Sequence, residues 1–155
     1  MILSKALIKM EKLSLFQRLM NYLLGTDKKI FQEVHIDQEV LDEILQIARN
    51  SYPNEFVAML QGKVKEGVLH IDGLLFLPGE TSDQGAVLNV FMMPLVDEGI
   101  GSVHSHPGHN ASPSTADLHF FSKNGLFHMI IAQPYTVESI NAYNSFGERV
   151  DFRVI

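Results

Sequence analysis

Helical and strand-like hydrophobic patterns alternate along this chain, and their order restricts the folds it can adopt. A helical stripe at 38–50 precedes several strand-like stretches, and a second helical stretch starting near Thr115 precedes several more. The strand-like stretches are β-branched or apolar and are mostly bounded by Gly, Pro or Asn: Glu55–Val64, Val68–Leu77, Ile100–His106, Phe127–Ala132, Thr136–Asn144 and Val150–Val154. This order predicts an α+β fold of the α/β sandwich type, with a mixed, mostly antiparallel sheet flanked by helices.

The helical stretches carry recognisable boundaries. Asp37 is the predicted N-cap of a helix that runs from about Gln38 to Asn50. A second helix is predicted from Thr115 to Lys123, where Asn124-Gly125 stops it. A shorter helix is expected at roughly Pro94–Glu98.

Residues 1–30 differ from the rest of the chain in charge. They carry a net charge of +4, whereas the remainder carries −10. Apolar residues spaced three or four apart predict an amphipathic helix over 3–24. We therefore expect an N-terminal extension, 1–30, followed by one domain, 31–155. Two uses of the extension stay open: packing on its own domain or in a homodimer, and docking on an acidic membrane or a partner.

Composition excludes several classes of protein. The 155 residues suit a single domain, and the absence of cysteine rules out disulfides, Cys-ligated metal sites and cysteine nucleophiles. An acidic body disfavours nucleic-acid binding, which needs a basic face. No apolar run approaches the roughly 20 residues of a spanning helix. Without a recognisable secretory signal, a cytoplasmic location is expected.

The most informative segment is His104-Ser105-His106-Pro107, followed by Ser114 and Asp117. Side chains two apart on a strand share a face, so His104 and His106 can reach one point. A turn through 108–113 would return the chain and bring Asp117, in the first turn of the next helix, beside them. Two histidines and a carboxylate suit zinc with an open fourth position, as in catalytic sites.

Hydrolysis at such a site also needs a proton acceptor and a donor to the developing oxyanion. Glu55, at the start of an otherwise apolar strand, is the candidate general acid/base. Ser114 is the candidate oxyanion donor, although Ser-x-x-Asp is also typical of a helix N-cap.

The neighbouring polar residues have simpler interpretations. Ser105 should point away from the metal and serve packing or support. His109 is expected to be exposed in its loop, His119 to be structural, and His128 to lie in the core or at an edge.

Together these residues resemble the JAMM (MPN+) zinc metalloprotease signature: an upstream Glu, His-x-His-Pro, then Ser-x-x-Asp. Ten residues, 107–116, separate the second His from the Asp, as in that family. The resemblance covers roughly residues 36–145 and implies a cytidine-deaminase-like JAMM/MPN fold. It matches His104, His106 and Asp117 to the zinc ligands, Glu55 to the acid/base and Ser114 to the oxyanion donor. Only 48 residues, 56–103, separate Glu55 from His104, which resembles the compact prokaryotic form.

The resemblance implies an enzyme with one Zn²⁺ per chain that cleaves after the C-terminal tail of a ubiquitin-like or sulfur-carrier protein. Two alternatives remain at this stage. One is a non-catalytic scaffold module of the same fold, although such relatives usually lack some ligands. The other is a cupin-like iron site, which the ten-residue interval and the interrupting helices disfavour.

Overall fold

The computed structural model describes residues 31–76 and 99–155. The predicted helices at 3–24 and Pro94–Glu98 lie outside these residues, as does the N-terminal extension. The boundary between 30 and 31 and the homodimer therefore stay predictions. The described elements in chain order are β1 (Glu33–Ile36), α1 (Gln38–Ser51), β2 (Val57–Lys65), β3 (Val68–Leu75), β4 (Gly99–Ser105), α2 (Thr115–Lys123), β5 (Phe127–Ile131), a 3-10 turn (Val137–Ser139), β6 (Ile140–Asn144) and β7 (Arg153–Val154).

Seven strands form one mixed sheet in the order β6-β5-β4-β2-β3-β1-β7. The pairs β2–β3, β2–β4 and β5–β6 are antiparallel, whereas β1–β3, β1–β7 and β4–β5 are parallel. The antiparallel pairings join more residues than the parallel ones do. The predicted α+β class with a mixed sheet is confirmed.

Helix α1 packs against the sheet through one apolar face. Its buried residues are Val40, Leu41, Ile44, Leu45 and Ala48. They share a core with strand residues that include Ala58, Leu60 and Val103. Burial of each large aliphatic side chain contributes roughly 1.5–3 kcal/mol, so this face holds the helix in place. Asp37 occupies the predicted N-cap position, but its carboxylate lies 2.6 Å from His70 Nε2 and does not cap the helix.

A second core contains the buried face of α2. Phe120 and Phe121 cluster with Met59, Ile130 and Tyr143. Neighbouring residues of β2 and β5 alternate between this core and the first one, as successive side chains on a strand point to opposite faces. The two helices therefore cover opposite faces of the sheet. Within the described residues, no helix is both long and apolar enough to span a membrane.

Three predicted strands differ most from the sequence-based expectation, and one strand was not predicted. Thr136–Ser139 is not a strand, because Thr136 and Ser139 bond to each other's backbone N–H groups and form the 3-10 turn. β2 begins at Val57 and leaves Glu55 in the preceding connection. The last strand contains only Arg153–Val154, and β1, which pairs with both β3 and β7, was not predicted.

Candidate metal centre

The end of β4 brings two imidazoles together. His104 and His106 lie on the same face, with their Nε2 atoms 3.1 Å apart. His106 follows the last residue of β4, and its N–H donates to the carbonyl of Ile131 at 2.8 Å. This bond extends the β4–β5 ladder by one residue. Both histidines are thus held at the end of an interior strand of the sheet.

The first turn of α2 supplies a carboxylate. Asp117 Oδ1 lies 3.4 Å from His104 Nε2, and Asp117 Oδ2 lies 3.8 Å from His106 Nε2. One ligand atom from each of the three residues falls within 4.8 Å of the other two. The residues that the sequence predicted to converge do so.

These separations fit a zinc ion. Ligands about 2.0–2.1 Å from a tetrahedral zinc lie roughly 3.3–3.4 Å from one another. Two of the three separations, from His104 Nε2 to His106 Nε2 and to Asp117 Oδ1, are close to that value at 3.1 and 3.4 Å. The third, from His106 Nε2 to Asp117 Oδ2, is longer at 3.8 Å. His104 and Asp117 are buried, while His106 is partly exposed toward a cleft, which leaves one side of the group open.

The tautomer of His106 is also suited to a metal. Its Nδ1 lies 2.8 Å from the carbonyl oxygen of Asn110. A carbonyl can only accept, so Nδ1 carries the proton and donates. The Nε2 lone pair then faces His104 and Asp117. Hydrogen bonds of this kind orient ligating histidines in metal sites.

Asp117 carries a negative charge under ordinary conditions. Burial alone would raise its pKa, but the His104 imidazole and hydrogen bonds from the Ser114 N–H and hydroxyl lower the pKa well below its usual range. The carboxylate is therefore ionised at neutral pH, as a metal ligand must be.

Ser114 caps α2 in the way the alternative interpretation predicted. Its Oγ accepts from the Asp117 N–H at 3.1 Å, and its own N–H donates to Asp117 Oδ2 at 2.7 Å. The hydroxyl also donates to Asp117 Oδ2 at 2.7 Å. This capping box fixes the carboxylate that faces the imidazoles. The role of Ser114 as an oxyanion donor stays a prediction.

Glu55 lies at the same opening. It lines a cleft of about 460 Å³ together with His106, Ser114 and residues 107–110, 112 and 113 of the intervening loop. The side chain is partly buried. Within the described residues, no side-chain hydrogen bond holds its carboxylate. Glu55 thus shares a cleft with the candidate ligand His106.

Sequence reasoning missed the side chains that hold the loop between the ligands. Tyr135 donates through its hydroxyl to the carbonyl of His106 at 3.0 Å, and the Gln133 amide donates to the carbonyl of Pro107. The Tyr143 hydroxyl donates to the carbonyl of Ala111 at 2.8 Å. All three residues lie in the β5–β6 region, far from the loop in sequence, so no local sequence pattern predicted these contacts.

The remaining predicted residues have mixed outcomes. Ser105 is buried on the opposite side of β4 from the imidazoles, and His109 is exposed in the cleft loop, both as predicted. His128 is a core residue, hydrogen-bonded to Ser102 at 2.8 Å and stacked on Phe121. The side chain of His119 is exposed on α2, and its expected structural role stays a prediction.

A mixed sheet between two helices, with a His-His-Asp group where β4 meets α2, defines a JAB/MPN-type metalloprotease domain. The comparisons with known proteins agree. The family model described as "Prokaryotic homologs of the JAB domain" matches residues 37–145. The chain belongs to this family.

Individual relatives support the same assignment. A protein of Haloferax volcanii described as "Probable metalloprotease" is 32% identical over 79% of this chain and 80% of its own length. A solved structure described as "JAMM: A Metalloprotease-like Zinc Site in the Proteasome and Signalosome" is 31% identical, with a TM-score of 0.61 over 80% of this chain and 99% of that one. A JAB1/MPN domain protein from Archaeoglobus fulgidus is 32% identical, with the same coverage and TM-score.

Proposed function

We propose that the protein is a zinc-dependent isopeptidase or peptidase that cleaves the bond after the C-terminal tail of a ubiquitin-like or sulfur-carrier protein. One observation carries the proposal: the Nε2 atoms of His104 and His106 and the Asp117 carboxylate converge beside a cleft that Glu55 lines. Membership of the JAB family and its similarity to metalloprotease-like relatives support a metal-dependent peptidase.

In this proposal His104, His106 and Asp117 hold one Zn²⁺ per chain. When bound, zinc supplies a Lewis acid that lowers the pKa of a water to about 7 and polarises the substrate carbonyl. The Asn110 carbonyl keeps the His106 proton on Nδ1. Ser114 holds the Asp117 carboxylate toward the imidazoles through its N–H and hydroxyl.

Glu55 is the proposed general base and acid. Its carboxylate accepts the proton of the attacking water and then delivers it to the leaving amine. Such a group must be close to the reacting atoms yet not committed to another partner. The position of Glu55 in the cleft wall, without a side-chain hydrogen bond in the described residues, supports this role.

Ser114 is the proposed oxyanion donor. Ser114 lines the cleft, so its hydroxyl can reach a bound carbonyl if it turns away from Asp117 Oδ2. The Ser114 N–H would continue to hold Asp117 during this change. The serine can therefore serve as both cap and donor.

The cleft suits an extended tail. Its volume of about 460 Å³ lies in the usual range for small-ligand sites. That space holds a few residues of extended chain, so the folded body of a substrate would stay outside. The C-terminal tails of ubiquitin-like and sulfur-carrier proteins have this form, and no described element near the cleft distinguishes the two substrates.

The test is hydrolysis of ubiquitin-like proteins and sulfur carriers fused at their C-termini to a reporter. Zinc-loaded protein should release the reporter, and a chelator should abolish the release until zinc is restored. Glu55→Gln should lower turnover by about 100-fold or more while zinc content stays unchanged, with Glu66→Gln on the β2–β3 turn as the matched control. Zinc binding without turnover on any fusion would overturn the proposal in favour of a non-catalytic module. The cytoplasmic location stays a prediction.

A further inference from the structure

Ser105 lies between the two candidate histidine ligands but on the opposite side of β4. It is fully buried. Its Oγ accepts a hydrogen bond from the backbone N–H of Phe56 at 2.9 Å. Phe56 is the residue directly after Glu55, so a side chain of the ligand strand holds the backbone next to the proposed general base.

This bond interrupts a regular ladder. Val57 pairs with His104 in the antiparallel β2–β4 register, so Phe56 would pair next with Ser105. Antiparallel pairs alternate between hydrogen-bonded and non-hydrogen-bonded positions, and a pair at a hydrogen-bonded position exchanges two backbone bonds. The Ser105 N–H does donate to the carbonyl of Phe56 at 3.0 Å, but the Phe56 N–H bonds to the serine hydroxyl instead of the Ser105 carbonyl.

The consequence is local to Glu55. β2 begins at Val57, so Glu55 lies before the ladder and lines the cleft. No side-chain hydrogen bond in the described residues fixes the Glu55 carboxylate. Its position is therefore set by the backbone at Phe56, which Ser105 holds on both its N–H and its C=O.

We propose that Ser105 is a positioning residue for Glu55: its hydroxyl takes the place of a ladder carbonyl and sets where the general base stands relative to His106. The inference rests on the proposed function. Without the hydroxyl, the Phe56 N–H would either stay unpaired in the core or turn to the Ser105 carbonyl. The first change would remove a restraint on the backbone next to Glu55, and the second would shift that backbone; small displacements of a catalytic group are costly to turnover.

The substitutions below distinguish a positioning role of Ser105 from a purely structural one. Ser102 provides the matched control. Ser102 is also a buried serine of β4, but its hydroxyl bonds to His128 in the core. Ser105→Ala should lower kcat at least about tenfold with little change in KM or zinc content. Ser105→Thr, which restores a hydroxyl, should recover most of kcat. Ser102→Ala should leave kcat within about twofold of the original, because it disturbs no hydrogen bond at Phe56.

Two further measurements complete the test. Amide exchange at Phe56, followed by NMR, should accelerate in Ser105→Ala but not in Ser102→Ala. In a Glu55→Gln background, Ser105→Ala should cause no further loss of residual activity, because residues that act through one another are not additive. If Ser105→Ala does not fold, Ser105→Cys replaces it, since a thiol of similar shape is a weak acceptor.

The outcomes separate the two proposals. Wild-type protein without Glu55-dependent turnover would overturn the proposed function and the positioning role with it. Glu55-dependent turnover together with an unchanged kcat in Ser105→Ala would overturn the positioning role alone. The positioning role would also be overturned if Ser105→Ala lowered kcat by the same factor in the wild-type and the Glu55→Gln backgrounds.

Discussion

The hydroxyl of Tyr135 donates a hydrogen bond to the carbonyl oxygen of His106 at 3.0 Å. The carbonyl of Tyr135 in turn accepts from Arg49 Nη2, at the end of α1, at 2.9 Å. Burial raises the pKa of Tyr135, and nearby Tyr52 and Glu55 raise it further, so the hydroxyl keeps its proton and remains a donor. This relationship connects a helix on one face of the sheet to a candidate ligand at the strand end.

Removal of that hydroxyl should weaken zinc binding without removing a ligand. Tyr135→Phe leaves the His106 carbonyl with one donor fewer in a partly buried setting, which costs about 1 kcal/mol. If this free energy is lost from zinc binding, the Kd for zinc rises about fivefold. Competition against a chromophoric chelator measures the change. Tyr52→Phe, an exposed tyrosine nearby, is the control and should leave the Kd unchanged.

Neutralising the carboxylate ligand should have a far larger effect. Asp117→Asn keeps the shape of the side chain but removes the charge that faces both imidazoles. We expect zinc affinity to fall more than about 100-fold, beyond what partners outside the ligand set cause. Metal content after dialysis measures this loss, and Asp72→Asn, an exposed carboxylate of β3, should retain full zinc. Equal zinc content in both variants would contradict the ligand assignment.

The two roles of Ser114 can be separated by paired substitutions. Ser114→Ala removes the cap and should lower the free energy of unfolding by about 1 kcal/mol, whereas Ser114→Gly should cost only a few tenths. Both remove the hydroxyl, so both should lower kcat about 100-fold if it stabilises the oxyanion. Denaturant titration and turnover are measured side by side. If kcat instead falls in step with the free energy of unfolding, so that Ser114→Ala is impaired much more than Ser114→Gly, Ser114 acts as a cap alone.

The close approach of β4 to β5 should tolerate no side chain at Gly101. A Cβ there would collide with the backbone carbonyl of Phe127. Gly101→Ala should therefore lower the free energy of unfolding by about 3 kcal/mol, at the upper end of overpacking costs. Gly108→Ala is the control, since nothing lies within 4 Å of its Cβ position. Similar denaturation midpoints for the two variants would contradict the described β4–β5 register.

The candidate ligands were predictable because short-range rules place them. Strand alternation put His104 and His106 on one face, and a helix start after a polar loop put Asp117 beside them. The structure adds the distances between the ligand atoms of these three residues, which the sequence alone does not give.

The supporting side chains were not predictable, because they act across the fold. Tyr135 and Tyr143 contact loop carbonyls about 30 residues away in the chain, and neither lies in a local pattern that signals it. β1 spans four residues, too few for a periodic signal. At Thr136–Ser139, side-chain hydrogen bonds to the backbone outcompeted the strand tendency of the apolar residues around them.

The most direct test is anomalous diffraction at the zinc absorption edge from crystals of the zinc-loaded protein. We expect one peak per chain, about 2.0–2.1 Å from His104 Nε2, His106 Nε2 and an Asp117 carboxylate oxygen, with Glu55 on its open side. A peak elsewhere, or no peak among these three residues, would contradict the proposal that they form a catalytic zinc site.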